Sequence, residues 1–416
     1  MAKLIHTATS PALIPTAPTT TIATNHPTAP APSSPSPAKA GLTTTTTTGV
    51  PSAPGAAAAS PTTLEGTIGA SGTNLVLDGN PYTFTGVNAY EIATDWGVNA
   101  GCGGEETQAQ LNELFSGLAP NSLVRFWAFQ GSMATNVDTG QLDWAPIDRV
   151  FDTAAAHEQR LIVVISDQGG TCDGGQWQDP TWYEGGFMDA HADMDNGVNL
   201  TPLSYWQYLQ DLVARYRNSP ALGMWEPISE PEASTCPAQD EPDNCSGNQT
   251  CPDEAAAASA LRNFFDVVGA EIHTLDPNHL VESGTLGSGQ CGTSGSDYAY
   301  VSASPGIDVL SVHDYYGAAA MGGDQWNGMA VRFSQAKDVD KPIVTGEVGI
   351  QAGDGAGCTT LADRVTQFAG KEQAQLQAGS SGLLVWDWEP QPSSDCAYDT
   401  FPGDPLMSLV AQGPSR

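Results

Sequence analysis

The chain has 416 residues and carries a net charge of −33 at neutral pH, from 14 basic and 47 acidic side chains. Residues 1–63 contain two lysines, Lys3 and Lys39, and no acid, so the remainder carries −35. That acidity excludes nucleic acid, whose phosphates need a basic face, and disfavours anionic membranes and polyanionic substrates. Residues 1–63 are almost wholly Thr, Pro, Ala and Ser, with a run from Thr43 to Thr48. Such a segment cannot bury enough apolar surface to offset chain entropy, and it reads as a disordered stalk or linker. The N-terminus lacks the apolar run of a signal peptide. No apolar stretch is long enough to span a membrane. Residues 64–416 suit one large α/β domain.

From about residue 64, short Val/Ile/Leu runs alternate with helical patterns. A hairpin is expected over 67–77, capping one end of a barrel. The expected barrel strands are 82–88, 123–127, 161–167, 223–229, 280–284, 309–315, 343–348 and 383–388, apolar as strands buried on both faces must be. Between them, Thr201-Pro202 reads as an N-cap followed by proline at the first helical position, leading into Trp206, Leu209, Leu212, Val213 and Tyr216. Leu261, Phe264, Phe265, Val268 and Ile272 form the stripe of a second helix. A third begins near Thr359, carries Leu361, Val365 and Phe368, and ends at Gly379. Eight strands alternating with helices predict a (β/α)8 TIM barrel.

Eight cysteines, an even number with no CxxC pair, predict up to four disulfides and an oxidising compartment, with free buried thiols as the alternative. Their pairing is open among 105 possibilities. Asp240, Asp243 and Asn244 match calcium ligands only loosely and read as a solvated acidic loop. The glycine-rich run at 284–292 does not match a dinucleotide fingerprint and reads as the loop after strand 5. No metal ligand set or cofactor is expected.

In such barrels the chemistry sits at the C-terminal strand ends. The polar residues expected there are Arg125, Asp167, Glu226, Glu230, His313, Tyr315, Glu347 and Trp386. In MWEPISEPE (224–232), a strand entering proline must end, which puts Glu230 at its tip. In KPIVTGEVGI (341–350), a buried strand delivers Glu347 to the same cleft. Taken singly, each glutamate could be an ordinary strand-end carboxylate. Together they are what glycoside hydrolysis needs, one protonating the leaving oxygen and the other attacking the anomeric carbon or activating water. Arg125 is expected to keep the nucleophile ionised, and a neighbouring carboxylate to raise the acid's pKa. Trp127, Phe129, Tyr315 and Trp386 fall where a flat ring can stack on a pyranose. His313 and Tyr315 share one side of a strand, where the histidine could orient a glutamate or serve as core.

These segments resemble glycoside hydrolase family 5, of clan A. VRFWAFQ (124–130) resembles its strand-2 arginine motif in the form found in β-mannanases, and GMWEPISEP (223–231) its Trp-Glu-x-x-Asn-Glu-Pro motif. SVHDYYG, KPIVTGEVG and LLVWDWEP resemble its strand-6, strand-7 and strand-8 motifs. The resemblance implies a retaining mechanism with Glu230 as acid/base and Glu347 as nucleophile. It further implies that Arg125 holds the nucleophile, that His313 and Tyr315 line the subsite of the attacked sugar with Tyr315 bonding Glu347, that Trp386 is a stacking platform, and that Glu226 is structural. Ser229 stands where the family has an asparagine that bonds the sugar 2-hydroxyl. The expected protein is a secreted monomeric enzyme acting on a neutral β-1,4-linked polysaccharide, mannan before glucan. A carbohydrate-binding barrel without catalysis and a transglycosylase are the alternatives.

Overall fold

The computed structural model describes residues 64, 66–170, 172–236, 245 and 249–414. Contacts divide the chain into Met1–Ala59 and Ser60–Arg416, and every described residue belongs to the second unit. The stalk reading of residues 1–63 and the Asp240/Asp243/Asn244 loop lie outside the described residues. No described helix is long and apolar enough to cross a membrane.

Eight parallel strands form the core: β1 (Phe84–Asn88), β2 (Leu123–Trp127), β3 (Arg160–Val164), β4 (Leu222–Glu226), β5 (Leu280–Val281), β6 (Leu310–Asp314), β7 (Ile343–Gly349) and β8 (Ser380–Trp386). Their lateral order is β5-β4-β3-β2-β1-β8-β7-β6. One bridge, Glu282 to Val309, joins the two edges, with Ser283 N–H donating to the Val309 carbonyl at 3.0 Å. The expected (β/α)8 barrel is therefore closed, though its β5–β6 seam is thin. The helices that follow the strands are α1 (Gln108–Ser116), α2 (Ala145–Ala156), α3 (Tyr205–Tyr216), α4 (Glu254–Leu275), α5 (Asp297–Ser302), α6 (Met329–Asp338), α7 (Leu361–Ala378) and α8 (Pro405–Val410).

The expected hairpin pairs Ile68–Ser71 with Asn74–Leu77. Ile68 and Leu75 are fully buried in a cluster with Leu123, Ile162, Met224, Val309, Val344 and Leu384. These residues lie at or near the N-terminal strand ends, so the hairpin plugs that end and leaves the other for chemistry.

Several strands stop short of their expected C-terminal limits. Beyond β3, β4 and β5 the ladder gives way to single bonds: Asp167 bridges Ser229, and Glu230 N–H donates to the Gly284 carbonyl at 2.8 Å. The apolar pattern persists where regular pairing has already ended. β8 conversely begins at Ser380, ahead of any apolar signal. Gly382 is required there, because a Cβ would fall 2.4 Å from the Phe84 ring.

Helix α3 starts three residues later than expected. Ser204 is its N-cap and forms a reciprocal capping box with Gln207, which satisfies two orphan donors at once. The Thr201 hydroxyl is spent on the His191 carbonyl at 2.6 Å. The stripe on α4 is buried as expected, and Gly379 caps α7 in the left-handed conformation (φ 114°). The inner face of α7 differs, since Leu361 and Val365 are only half-buried while Arg364, Lys371, Glu372 and Gln375 are buried. Each polar group has a partner. Lys371 Nζ bonds both Asp314 oxygens at 2.8 Å, Glu372 accepts from Thr85, and Thr345 donates to Gln375 at 2.7 Å. Asp314 lies between His313 and Tyr315, so α7 fixes from outside the strand that presents both residues inside.

Candidate active site

The carboxyl ends of the strands place a charged network around Arg125, which is 1% exposed. Its Nε and Nη2 form a two-pronged pair with Glu226 at 2.7 and 2.6 Å. Nη1 donates to Glu347 at 2.8 Å and Asn88 at 3.0 Å, and Nη2 donates to the Ser229 hydroxyl at 2.7 Å. A planar guanidinium is the side chain that can hold two carboxylates in fixed geometry. Glu226 is fully buried and is a structural counter-ion. Ser229 is tied to Arg125 and points its hydroxyl into this network.

Glu230 closes the tail of β4 with a left-handed backbone (φ 51°), an uncommon conformation for a residue other than glycine. Its N–H is held by Gly284, and Ser229 N–H by the Ser166 carbonyl at 2.8 Å. Gly284 must be glycine, because a Cβ would come 2.0 Å from the Ile228 carbonyl. The Glu230 side chain is 39% exposed, whereas that of Glu347 is 5% exposed. A carboxylate oxygen of Glu230, one of Glu347 and a ring nitrogen of His313 lie within 4.8 Å of one another.

His313 Nδ1 lies 2.6 Å from Glu230 Oε1 and 3.4 Å from Glu347 Oε2. Tyr315 donates its hydroxyl to Glu347 Oε2 at 2.5 Å. Both residues reach the pair from alternate positions of one strand, as the sequence pattern requires. Two glycines make room for them: a Cβ on Gly346 would meet Ser311 Oγ at 2.5 Å and His313 Nε2 at 3.1 Å, and one on Gly349 would come 2.2 Å from the Tyr315 ring.

The electrostatics reverse the expected assignment of pKa shifts. Burial pushes Glu347 above the ordinary carboxylate range, further helped by Glu230 and only partly countered by His313, Arg125 and Tyr315. Burial acts on Glu230 as well, but the His313 hydrogen bond and charge, with Arg125, hold it below its ordinary value. Burial lowers His313, yet the two glutamates outweigh it and raise the imidazole overall. Each group of this pair thus favours the charged form of the other. Arg125 does act to lower Glu347, as expected, but burial outweighs it.

The aromatic expectations divide. Trp127 and Trp386 are half-buried, and Tyr90 joins them, stacked on Trp386 at 5.5 Å and tilted against Trp127 at 4.6 Å. Phe129 is fully buried and stacks on Trp127 at 4.8 Å, so it backs the platform and cannot meet a sugar. Asp167 accepts from Gly170 N–H at 2.8 Å and shapes its own loop. Sequence reasoning passed over Glu282, which is 1% exposed. Burial and the adjacent Glu226 push it well above the usual range, so it serves as a neutral partner to Glu226. Nothing in LVESG distinguishes it from a surface glutamate. Trp96 and Trp326, 60% and 66% exposed, were also unflagged and lie on the loops after β1 and β6.

The cysteines form four disulfides, Cys102–Cys172, Cys236–Cys245, Cys251–Cys291 and Cys358–Cys396. All four lie in the connections beyond the strand ends.

No family model matches the chain. It is 24% identical to a probable mannan endo-1,4-β-mannosidase F of Aspergillus flavus, over 80% of this chain and 70% of that one. Its fold matches the endo-1,4-β-mannanase of Rhizomucor miehei with a TM-score of 0.57 at 19% identity, covering 83% of this chain and 97% of that one. It also matches a glycoside hydrolase family 5 mannosidase from the same organism, with a TM-score of 0.52 at 15% identity over 84% and 97% of the two chains. The chain is thus similar in sequence to mannan endo-1,4-β-mannosidases, which are glycoside hydrolases, and shares the barrel fold of solved β-mannanases.

Proposed function

We propose that the protein is a secreted, retaining glycoside hydrolase that cleaves β-1,4-linked polysaccharide of the mannan type within the chain. The observation that carries the mechanism is the closeness of the two carboxylates, whose oxygens come within 4.8 Å. Retaining enzymes hold their carboxyls about 5–5.5 Å apart, while inverting enzymes need about 6.5–9.5 Å to admit a water between acid and base. The mannan preference rests on the named activity of the relatives.

In the first step Glu347 attacks the anomeric carbon as the bond to the leaving oxygen breaks, and Glu230 gives that oxygen a proton. The proton reaches Glu230 from His313 along their 2.6 Å contact. Tyr315 and Arg125 each bond one Glu347 oxygen, which orients the carboxylate and leaves lone pairs for the attack. In the second step Glu230 takes a proton from water, which displaces Glu347 from the same carbon with a second inversion. Tyr90, Trp127 and Trp386 form the aromatic floor for the sugar rings. The Ser229 oxygen accepts from Arg125, so only its O–H or another residue can serve the sugar 2-hydroxyl. Four disulfides support an oxidising, extracellular setting.

Two experiments test this reading. Reducing-sugar release with product chromatography on mannan, galactomannan, carboxymethylcellulose and mixed-linkage glucan should show oligosaccharides from the mannans. Release only from the glucans would replace the substrate and keep the mechanism. Glu347→Ala supplied with azide and an activated aryl glycoside should give the inverted glycosyl azide, and Glu230→Ala the retained one. The opposite pairing, or turnover near wild type in either variant without azide, would overturn the roles.

A further inference from the structure

Away from the glutamate pair, the connections after β1 and β8 bring three more carboxylates together. Glu91, Glu106 and Glu389 each present an oxygen within 4.8 Å of the other two. Glu91 is 3% exposed and Glu106 is 1% exposed. The backbone wraps onto Glu91: Gly104 N–H donates to its Oε2, and a Cβ on Gly103 would fall 1.5 Å from that atom. The Cys102–Cys172 disulfide ties this loop down.

A second observation points to a ligand. Glu106 Oε2 is buried and has no hydrogen-bond partner, and Asp387 Oδ1 nearby is in the same condition. Leaving a buried carboxylate oxygen unpaired is costly. Arg149, the positive group that bears on Glu106, gives its guanidinium to Asp95 at 3.5 Å and the Thr94 carbonyl at 3.3 Å.

We propose that Glu91, Glu106 and Glu389 hold a calcium ion. An all-oxygen, carboxylate-rich donor set selects a hard cation. Ca2+ accepts several carboxylates in irregular geometry, whereas Mg2+ demands near-ideal octahedral geometry and keeps several of its waters, so three converging protein carboxylates suit the larger ion. Glu91 follows Tyr90, and Glu389 lies three residues beyond Trp386. The ion would therefore clamp together the two connections whose aromatic rings stack at 5.5 Å, fixing the sugar-binding floor from behind.

The test uses the full chain, first stripped with a chelator. Titration calorimetry with CaCl2 should show one ion bound per chain, and added Ca2+ should raise the melting temperature of the stripped protein. Glu106→Gln should weaken binding at least tenfold and abolish the melting shift. Absence of binding heat, with a melting temperature indifferent to Ca2+, would overturn the proposal in favour of carboxyls that share protons. Binding undiminished in Glu106→Gln would place the ion elsewhere and overturn it equally. Should that variant fail to fold, the wild-type titration and melting shift decide alone.

Discussion

Removing the guanidinium at the hub should cost stability and activity by separable routes. In Arg125→Met, Glu226 is left fully buried without its two bonds of 2.7 and 2.6 Å. Breaking one side of a buried ion pair costs about 3–5 kcal/mol. Unfolding entropy of about 2.1 cal/mol/K per residue, over about 350 residues, converts that to a fall of roughly 4–7 °C in melting temperature. Adding Glu226→Gln neutralises the stranded charge, so the double variant should regain about half of the loss. Activity should not recover with it, because Glu347 still lacks its 2.8 Å bond to Nη1. Differential scanning calorimetry and kcat/KM on mannan, measured for the wild type, both singles and the double, complete the cycle. A fall under about 1 kcal/mol in Arg125→Met, or no recovery in the double, would refute the view of Arg125 as the charge holding the network together.

Three further outcomes follow from the same geometry. For the wild type, activity requires Glu347 ionised and one proton on the Glu230–His313 pair, so it rises as pH passes the elevated Glu347 value and falls as pH passes the elevated His313 value. His313→Asn removes a positive charge that lowers Glu347 and the group that stores the acid's proton, so the bell-shaped profile should narrow from both sides, and an unchanged profile would contradict the shared proton. Gly346→Ala drives a methyl to 2.5 Å from Ser311 Oγ and 3.1 Å from His313 Nε2; it should destabilise by about 1–3 kcal/mol and reduce kcat more than it changes KM, and unaltered kcat would show that His313 tolerates displacement. Replacing Cys251 and Cys291 by alanine opens a crosslink across 40 residues, worth about 4 kcal/mol in chain entropy; a denaturant midpoint shifted by less than a quarter of that would assign the bridge a local role.

Much of this molecule is legible in the sequence because its signals are local. A buried parallel strand is a short Val/Ile/Leu run wherever it occurs; strand 2 has its expected bounds, and the other seven differ by one to three residues at one or both ends. Glu230 and Glu347 stand out because proline and glycine mark the strand tips beside them. What was not legible depends on partners far apart in the chain. The pKa order of the two glutamates is set by burial and by His313, 83 residues from Glu230. The polar inner face of α7 looks like a solvent face until Asp314, Thr345 and Thr85 are seen opposite it. Phe129 passes for a rim residue because the chain turns inward after Trp127, which no local pattern announces. Glu91, Glu106 and Glu389 share no motif, being separated by 15 and 283 positions.

The seam between β5 and β6 is narrow, a single bridge between Glu282 and Val309, and the acid/base and its proton store stand on opposite sides of it. Glu230 hangs from Gly284 at the end of β5, while His313 belongs to β6. A barrel that had wound all its strands but not zipped this edge would have its helices, most of its core and both glutamates, yet it would be inert. The proposed activity therefore depends on the closing of this seam, where His313 N–H also donates to the Leu286 carbonyl at 3.0 Å, as much as on the two glutamates.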